Sequence, residues 1–262
     1  MYTIRSIRIT NHVNVSHHGL ANSHHDIPLQ HIMDDVLNRL HTQCTALPNE
    51  YSSIQWSHMN STVLGYTIVN FIGQNPTNYY SVLNSGFDWH DGPCSEKPGH
   101  SFDVKTVVLH EVMHGIGFLS TIDQSKTAFP IKYDLLLADS GNNKLVDSNI
   151  FTGDFGQPVY IDGVRIYNPV QFDEGTSLSH LDDMGRTMSG YMSHGHCLQE
   201  PDHRSQQVLN QLGYGCGVHV DTPIGTVAGV VAGLIVVAII VTMAMTTTKR
   251  KKRTDFQTPL LA

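Results

Sequence analysis

His110 and His114 stand four residues apart with Glu111 beside the first, inside a stretch whose local signals agree on a helix. Val107, Val108, Val112 and Ile116 recur at helical spacing. Asp103 is a residue type that caps helix N-termini, and Gly117 is one that ends them. The prediction is a helix from Val104 to about Ile116. On a helix, residues i and i+4 share a side, so both imidazoles project together and can hold one zinc ion. Glu111 borders the same face and can reach a water there. At this chain's composition the string H-E-x-x-H arises by chance about 0.02 times. Two ligands are too few, because a catalytic zinc usually takes three protein ligands and leaves one position for water. The fold must therefore bring a third ligand to this helix from elsewhere.

Around the helix the sequence reads as a mixed α+β body without internal repeats. Leu29 to Leu40 places Ile32, Met33, Val36, Leu37 and Leu40 at helical spacing. Ser53 to Phe71 alternates and is rich in Ile, Val and Tyr, which predicts one or two strands. Met1 to Ile9 also alternates like a strand. Asn84 to His100 holds Gly86, Gly92, Pro93, Pro98 and Gly99 and reads as a loop. Ser120 to Ser179 is predicted to be irregular with short strands. Pro201 to Leu212 reads as a helix with Asp202 as its cap and Gly213 at its end.

Charge separates this body from the C-terminus. Residues 1–221 hold 11 basic and 22 acidic side chains, a net of −11, which makes nucleic acid a poor partner. No charge occurs from Thr222 to Thr248, and Val227 to Met245 is long enough to span a bilayer as a helix. Lys249, Arg250, Lys251, Lys252 and Arg253 follow directly. By the positive-inside rule this predicts a single-pass protein. Residues 1–221 would lie outside the cytosol or in a lumen, 222–248 in the membrane, and 249–262 in the cytosol as a basic tail. The sequons at Asn14 and Asn60 agree with that side. Gly225, Gly229 and Gly233 lie on one face and would let two such helices approach as a homodimer. Met1 to Ile9 is not a signal peptide. The expectation is that the true N-terminus is missing, with unaided insertion through the C-terminal helix as the alternative.

The four cysteines, Cys44, Cys94, Cys197 and Cys216, form no C-x-x-C pair and suggest two disulfides. Cys197 with Cys216 is the favoured pairing, since it would bracket the last helix. A role for Cys44 or Cys94 as an inhibitory thiolate is the lesser reading. His17, His18, His24 and His25 read as solvated surface residues rather than a second metal site.

The string His110-Glu111-Val112-Met113-His114-Gly115-Ile116-Gly117-Phe118 resembles the metzincin zinc metallopeptidases, whose pattern is H-E-x-x-H-x-x-G-x-x-[H/D]. Here the last position is Ser120, a poor zinc ligand. Leishmanolysin-like metzincins carry a long insertion before the third His and a Met turn after it. Ser179-His180-Leu181-Asp182 followed by Thr187-Met188-Ser189 is similar to that arrangement. It is also similar to secreted bacterial metzincin-like proteins, as is the ending Leu212-Gly213-Tyr214. The resemblance runs from about Val104 to Tyr214. It implies His180 as the third ligand, Met188 as the turn residue with Met192 in reserve, and Tyr191 as a candidate oxyanion donor. His194, His196, His203, Asp123 and Glu174 remain as rival ligands.

The resemblance implies a two-subdomain metzincin-like fold, with an N-terminal part of about 1–119 and a C-terminal part of about 120–216 around a cleft. The expected function is a membrane-anchored zinc endopeptidase acting on polypeptides with Glu111 as general base. The competing class is a non-catalytic adhesion or receptor domain that keeps the fold.

Overall fold

The computed structural model describes residues 2–8, 27–47 and 51–217, and over these the chain is α+β. Strand β1 (Tyr2–Arg8) precedes helix α1 (Leu29–Gln43), and strands β2 (Tyr51–Ser57), β3 (Val63–Ile72) and β4 (Asn75–Asn84) follow. Short strands β5 (Trp89–His90) and β6 (Phe102–Asp103) then lead into helix α2 (Val104–Gly115). Beyond it come β7 (Val146–Asp147), β8 (Ile150–Phe151), β9 (Val159–Ile161), β10 (Val164–Ile166), β11 (Tyr191–Met192) and helix α3 (His203–Gln211).

The main sheet runs β11-β1-β3-β4-β2. β1 is parallel to β3 and antiparallel to β11, β3 and β4 form an antiparallel hairpin, and β2 is parallel to β4. Gly73 turns the hairpin at φ +60°, a backbone state that favours glycine. On β3, Gly65, Thr67 and Val69 are buried, while Tyr66 and Ile68 between them are half-buried. This two-residue period aims one face of the strand at α2, which packs over β3 and β4.

α1 buries Leu29, Ile32, Met33, Val36 and Leu40, a single stripe laid against α2 and β2. α2 is different: every residue except Lys105 is buried. It is the central helix of the body rather than a surface helix with one wet face. Burying each of Val104, Val107, Val108 and Val112 stabilises the fold by roughly 1.5–3 kcal/mol.

From Ser120 to Ser179 the chain makes an excursion of turns and two hairpins. The β9–β10 hairpin turns on Asp162 and Gly163, both at positive φ (50° and 77°), which is the geometry an Asp-Gly pair favours. The excursion returns beside its start: the Ser120 N–H donates to Ser179 Oγ at 3.0 Å.

Three expectations require correction. The fold was expected to include a transmembrane helix. Among the described residues no helix is long and apolar enough to cross a membrane. The 222–248 segment, the 227–245 core that was to contact the membrane, Gly225, Gly229, Gly233 and the 249–262 tail all lie outside the described residues. The single-pass topology and the localisation built on it are therefore withdrawn. Second, the disulfides are Cys44–Cys216 and Cys94–Cys197, not Cys197–Cys216. Locality in sequence favoured the expected pair. Tertiary structure instead lays residues 214–216 antiparallel to the end of α1, where Ala46 N–H donates to the Tyr214 carbonyl at 3.1 Å. With all four cysteines paired, no thiolate is left for a metal. Third, the 84–100 loop is interrupted by β5, which pairs with β6. His17, His18, His24, His25 and Asn14 lie outside the described residues, while Asn60 is exposed.

Candidate metal centre

The sequence around α2 fixes the direction of its two histidines. Asp103 caps the helix, accepting from the Thr106 N–H at 2.7 Å and the Thr106 hydroxyl at 2.6 Å. At the other end Gly117 adopts φ +104°. The N–H groups of Gly117 and Phe118 then return to the carbonyls of His114 and Met113, closing a Schellman motif. A Cβ at Gly117 would be strained by that φ whatever space surrounds it. The turn swings the Phe118 carbonyl onto His114, whose Nδ1 lies 2.6 Å away.

His110 and His180 are held in the same way. His110 Nδ1 is 2.7 Å from the Thr187 carbonyl, and His180 Nδ1 is 2.9 Å from the Thr176 carbonyl. A carbonyl oxygen only accepts, so each Nδ1 carries the hydrogen and each Nε2 of the neutral ring presents a lone pair. Those lone pairs converge. His180 Nε2 is 3.2 Å from Nε2 of His110 and 3.2 Å from Nε2 of His114. No hydrogen lies between these atoms in the neutral rings, so the contacts are repulsive unless a cation sits among them.

Protonating the rings to fill the gap is opposed by their surroundings. All three are fully buried. Burial, then the neighbouring rings, holds His110 and His114 well below the usual histidine range, and burial takes His180 down to about 4. The three imidazoles are therefore a neutral donor set that could hold a metal ion. Among the described residues no other His, Cys, Asp or Glu joins the group.

Glu111 is buried on the same helix, with its carboxylate against β3. Oε2 accepts from the Thr67 hydroxyl at 2.5 Å, while Oε1 has no hydrogen-bond partner. Gly65 gives it room, since a Cβ there would come within 2.9 Å of Oε1. Burial raises the Glu111 pKa well above the usual value, and the Thr67 hydrogen bond acts in the opposite sense. A cation among the imidazoles also opposes the effect of burial.

Ser120, at the third-ligand position of the compact motif, does not join the three histidines. Its hydroxyl donates to Asp134 Oδ1 at 2.7 Å, and its backbone ties to Ser179, one residue before His180. Asp134 also accepts from the Thr121 hydroxyl at 2.6 Å and so braces the chain just after α2.

Met188 is fully buried, and its carbonyl accepts from the Leu181 N–H at 2.8 Å. It follows Thr187, whose carbonyl orients His110. Thr187 is held in turn by Asp202, which accepts its N–H at 2.9 Å while capping α3. Met192, the reserve, is buried on β11. The Tyr191 hydroxyl lies 3.1 Å from that of Tyr167.

None of the rival ligands joins the group. The His194 ring packs on Phe102, with ring centroids 4.4 Å apart. His196 is half-buried beside Gly185, and His203 is exposed at the start of α3. Asp123 caps a turn by accepting from the Ser125 and Thr127 N–H groups, and Glu174 is exposed. Sequence reasoning missed the supports of the site: Thr67, Gly65 and Asp134, and the carbonyls of Phe118, Thr176 and Thr187. A carbonyl carries no residue-type signature. Thr67 and Asp134 were detectable only as polar residues inside or beside apolar runs.

Comparison with protein-family models, with curated proteins and with solved structures finds no match to the chain.

Proposed function

We propose that this chain is a zinc-dependent endopeptidase, with His110, His114 and His180 as metal ligands and Glu111 as general base. The observation that carries the proposal is the convergence of three Nε2 lone pairs, two of them from the helix that also carries a buried carboxylate with one unsatisfied oxygen. In a tetrahedral site with Zn–N distances of 2.0–2.1 Å, ligand nitrogens stand about 3.3 Å apart. The 3.2 Å separations at His180 suit that edge. Neutral nitrogen donors favour zinc over calcium or magnesium, which prefer oxygen.

A zinc ion held there supplies Lewis acidity, polarising a carbonyl oxygen and lowering the pKa of water to about 7. The protein residues do the rest. Thr67 fixes Glu111 through Oε2 and leaves Oε1 as the acceptor for a proton from the attacking water. Glu111 then delivers that proton to the departing amine nitrogen of the peptide. The Phe118, Thr176 and Thr187 carbonyls hold the three rings in the tautomer that binds metal.

One observation favours a second reading. His110, Glu111, His114 and His180 are all fully buried, and closed sites are the structural kind. A non-catalytic adhesion or receptor domain would keep the ion as a staple. Glu111→Gln separates the two. On the peptidase reading the variant retains one zinc per chain by elemental analysis and loses hydrolysis of an unselective peptide library. Equal activity in the variant and the parent protein removes Glu111 from the reaction. A zinc-loaded parent protein that cleaves nothing favours the structural reading.

A further inference from the structure

The two disulfides differ in how a reductant can reach them. Cys44 and Cys216 are buried, 2% and 0% exposed, so a thiol attacks that bond only after local unfolding. Cys94 is exposed and Cys197 half-buried, so the bond between them can be met by a thiolate in the folded protein.

Cys197 belongs to a strap, residues 193–202, that runs from β11 to α3 past the N-terminal end of α2. The Leu198 N–H donates to the Thr106 hydroxyl at 2.8 Å. Gln199 Nε2 donates to Asp103 Oδ2 at 3.0 Å and to the Gly92 carbonyl at 2.9 Å. The Lys97 ammonium donates to the His194 carbonyl. Cys94–Cys197 is the covalent tie in this set, and the others are hydrogen bonds. The far end of the strap holds Thr187. The Thr187 hydroxyl donates to the Glu200 carbonyl at 3.3 Å and accepts from the Asp202 N–H at 3.1 Å, and Asp202 Oδ2 accepts the Thr187 N–H at 2.9 Å. The Thr187 carbonyl in turn lies 2.7 Å from His110 Nδ1. The exposed disulfide is therefore connected, through Cys197 to Asp202 and across to Thr187, with a carbonyl that orients a metal-group imidazole.

We infer that Cys94–Cys197 is a thiol-exchange site through which a dithiol reductant weakens the hold on the metal ion. One thiolate of the reductant attacks Cys94 Sγ, the bond to Cys197 breaks, and Cys197 leaves as a thiolate. The second thiol of the reductant then displaces Cys94 and closes the reductant's own disulfide. The protein gains two electrons and two protons, and the reductant loses them. The strap then keeps only hydrogen bonds to α2 and the 91–100 loop, and Thr187 is held less firmly against His110. Removing a group that orients a metal-bound histidine lowers metal affinity about 10–100-fold, and loosening one sets the expectation at about tenfold. The inference rests on zinc binding by the three histidines and not on hydrolysis.

The test treats the full chain with graded dithiothreitol, alkylates the freed thiols and locates them by peptide mass. Zinc affinity is measured in parallel by competition with a chromophoric chelator. Cys94 and Cys197 should be labelled before Cys44 and Cys216, and affinity should fall about tenfold at that stage and recover on reoxidation with oxidised glutathione. The Cys94→Ala/Cys197→Ala variant should bind zinc as the reduced chain does and ignore dithiothreitol. Every affinity is repeated in concentrated sucrose, which favours the folded state. A loss caused by the strap persists there, and a loss caused by global unfolding disappears. Labelling of Cys44 and Cys216 together with the exposed pair, an affinity unchanged by selective reduction, or a loss abolished by sucrose each overturns the inference. An oxidised chain that binds no zinc removes the metal site and this inference with it, whereas equal binding before and after reduction removes this inference alone.

Discussion

Replacing Thr67 by valine tests how the buried carboxylate is held. The Thr67 hydroxyl has one hydrogen and three neighbours: Glu111 Oε2 at 2.5 Å, Ser81 Oγ at 2.8 Å and the Glu111 carbonyl at 3.2 Å. The short contact to the carboxylate takes the hydrogen, and Ser81 then donates to Thr67. Thr67→Val keeps the volume and removes both bonds. A hydrogen bond to a charged group contributes about 1.5–3 kcal/mol, and a neutral one about 1 kcal/mol. The expected loss is therefore about 2.5–4 kcal/mol if Glu111 is ionised, since its Oε1 already lacks a partner. Thr67→Ser keeps the hydroxyl and should lose about 1 kcal/mol, for the methyl group. Urea unfolding at pH 7 with the disulfides intact, with and without zinc, measures these differences. The pH dependence has a fixed sign. The folded Glu111 pKa lies above the unfolded value near 4.5, so its charge costs stability increasingly as pH rises above 4.5. Losing Thr67 raises that pKa further, so the gap between variant and parent should widen as pH rises through the folded Glu111 pKa. A Thr67→Val protein within about 0.5 kcal/mol of the parent at pH 7 would refute the reasoning.

Three further outcomes are expected. His180→Ala should lose the metal and the proposed activity together, with zinc affinity down by at least about 100-fold, while His194→Ala and His196→Ala keep both; zinc titration reads this directly. In metal-free protein the three histidines have folded pKa values below the unfolded 6.5. Their contribution is present above 6.5 and is lost as pH falls toward the folded values; for His180, falling to about 4, the loss reaches about 3 kcal/mol. Thermal melts of metal-free protein should therefore drop between pH 6.5 and 4, and a flat profile would argue that the rings are not buried neutral. Reducing Cys44–Cys216 and Cys94–Cys197, which close 172 and 103 residues, should cost about 5 kcal/mol each on chain-entropy grounds, read as a lower urea midpoint.

What the sequence revealed was what local chemistry encodes. α2, its Asp103 cap and its Gly117 stop follow from residue types within a few positions, as do α1, α3 and the Asp202 cap. The strand pattern of residues 53–71 resolved into the end of β2 and most of β3, but β4 went unread because Asn75, Pro76 and Asn78 break its apolar alternation. His180 reached the ligand list only through a family pattern, since 66 residues separate it from His114 and no spacing rule acts over that distance. The disulfides were misassigned for the matching reason, that proximity in sequence stood in for proximity in space. The supports of the rings were invisible because most of them are backbone carbonyls.

The clasp between Ser120 and Ser179 also makes the exposed tip of the intervening chain separable from the donor set. Two of the three carbonyls that orient the imidazoles, on Phe118 and Thr187, lie outside that interval, and the third, on Thr176, lies only four residues before His180. Doubling the length of a closed loop costs only about 0.6 kcal/mol. The exposed turn at residues 140–144 can therefore be lengthened at little cost, whereas Asp134, which braces Ser120 and Thr121, and Arg165 and Tyr167, whose backbones pair with Asp182 and His180, have to stay in place.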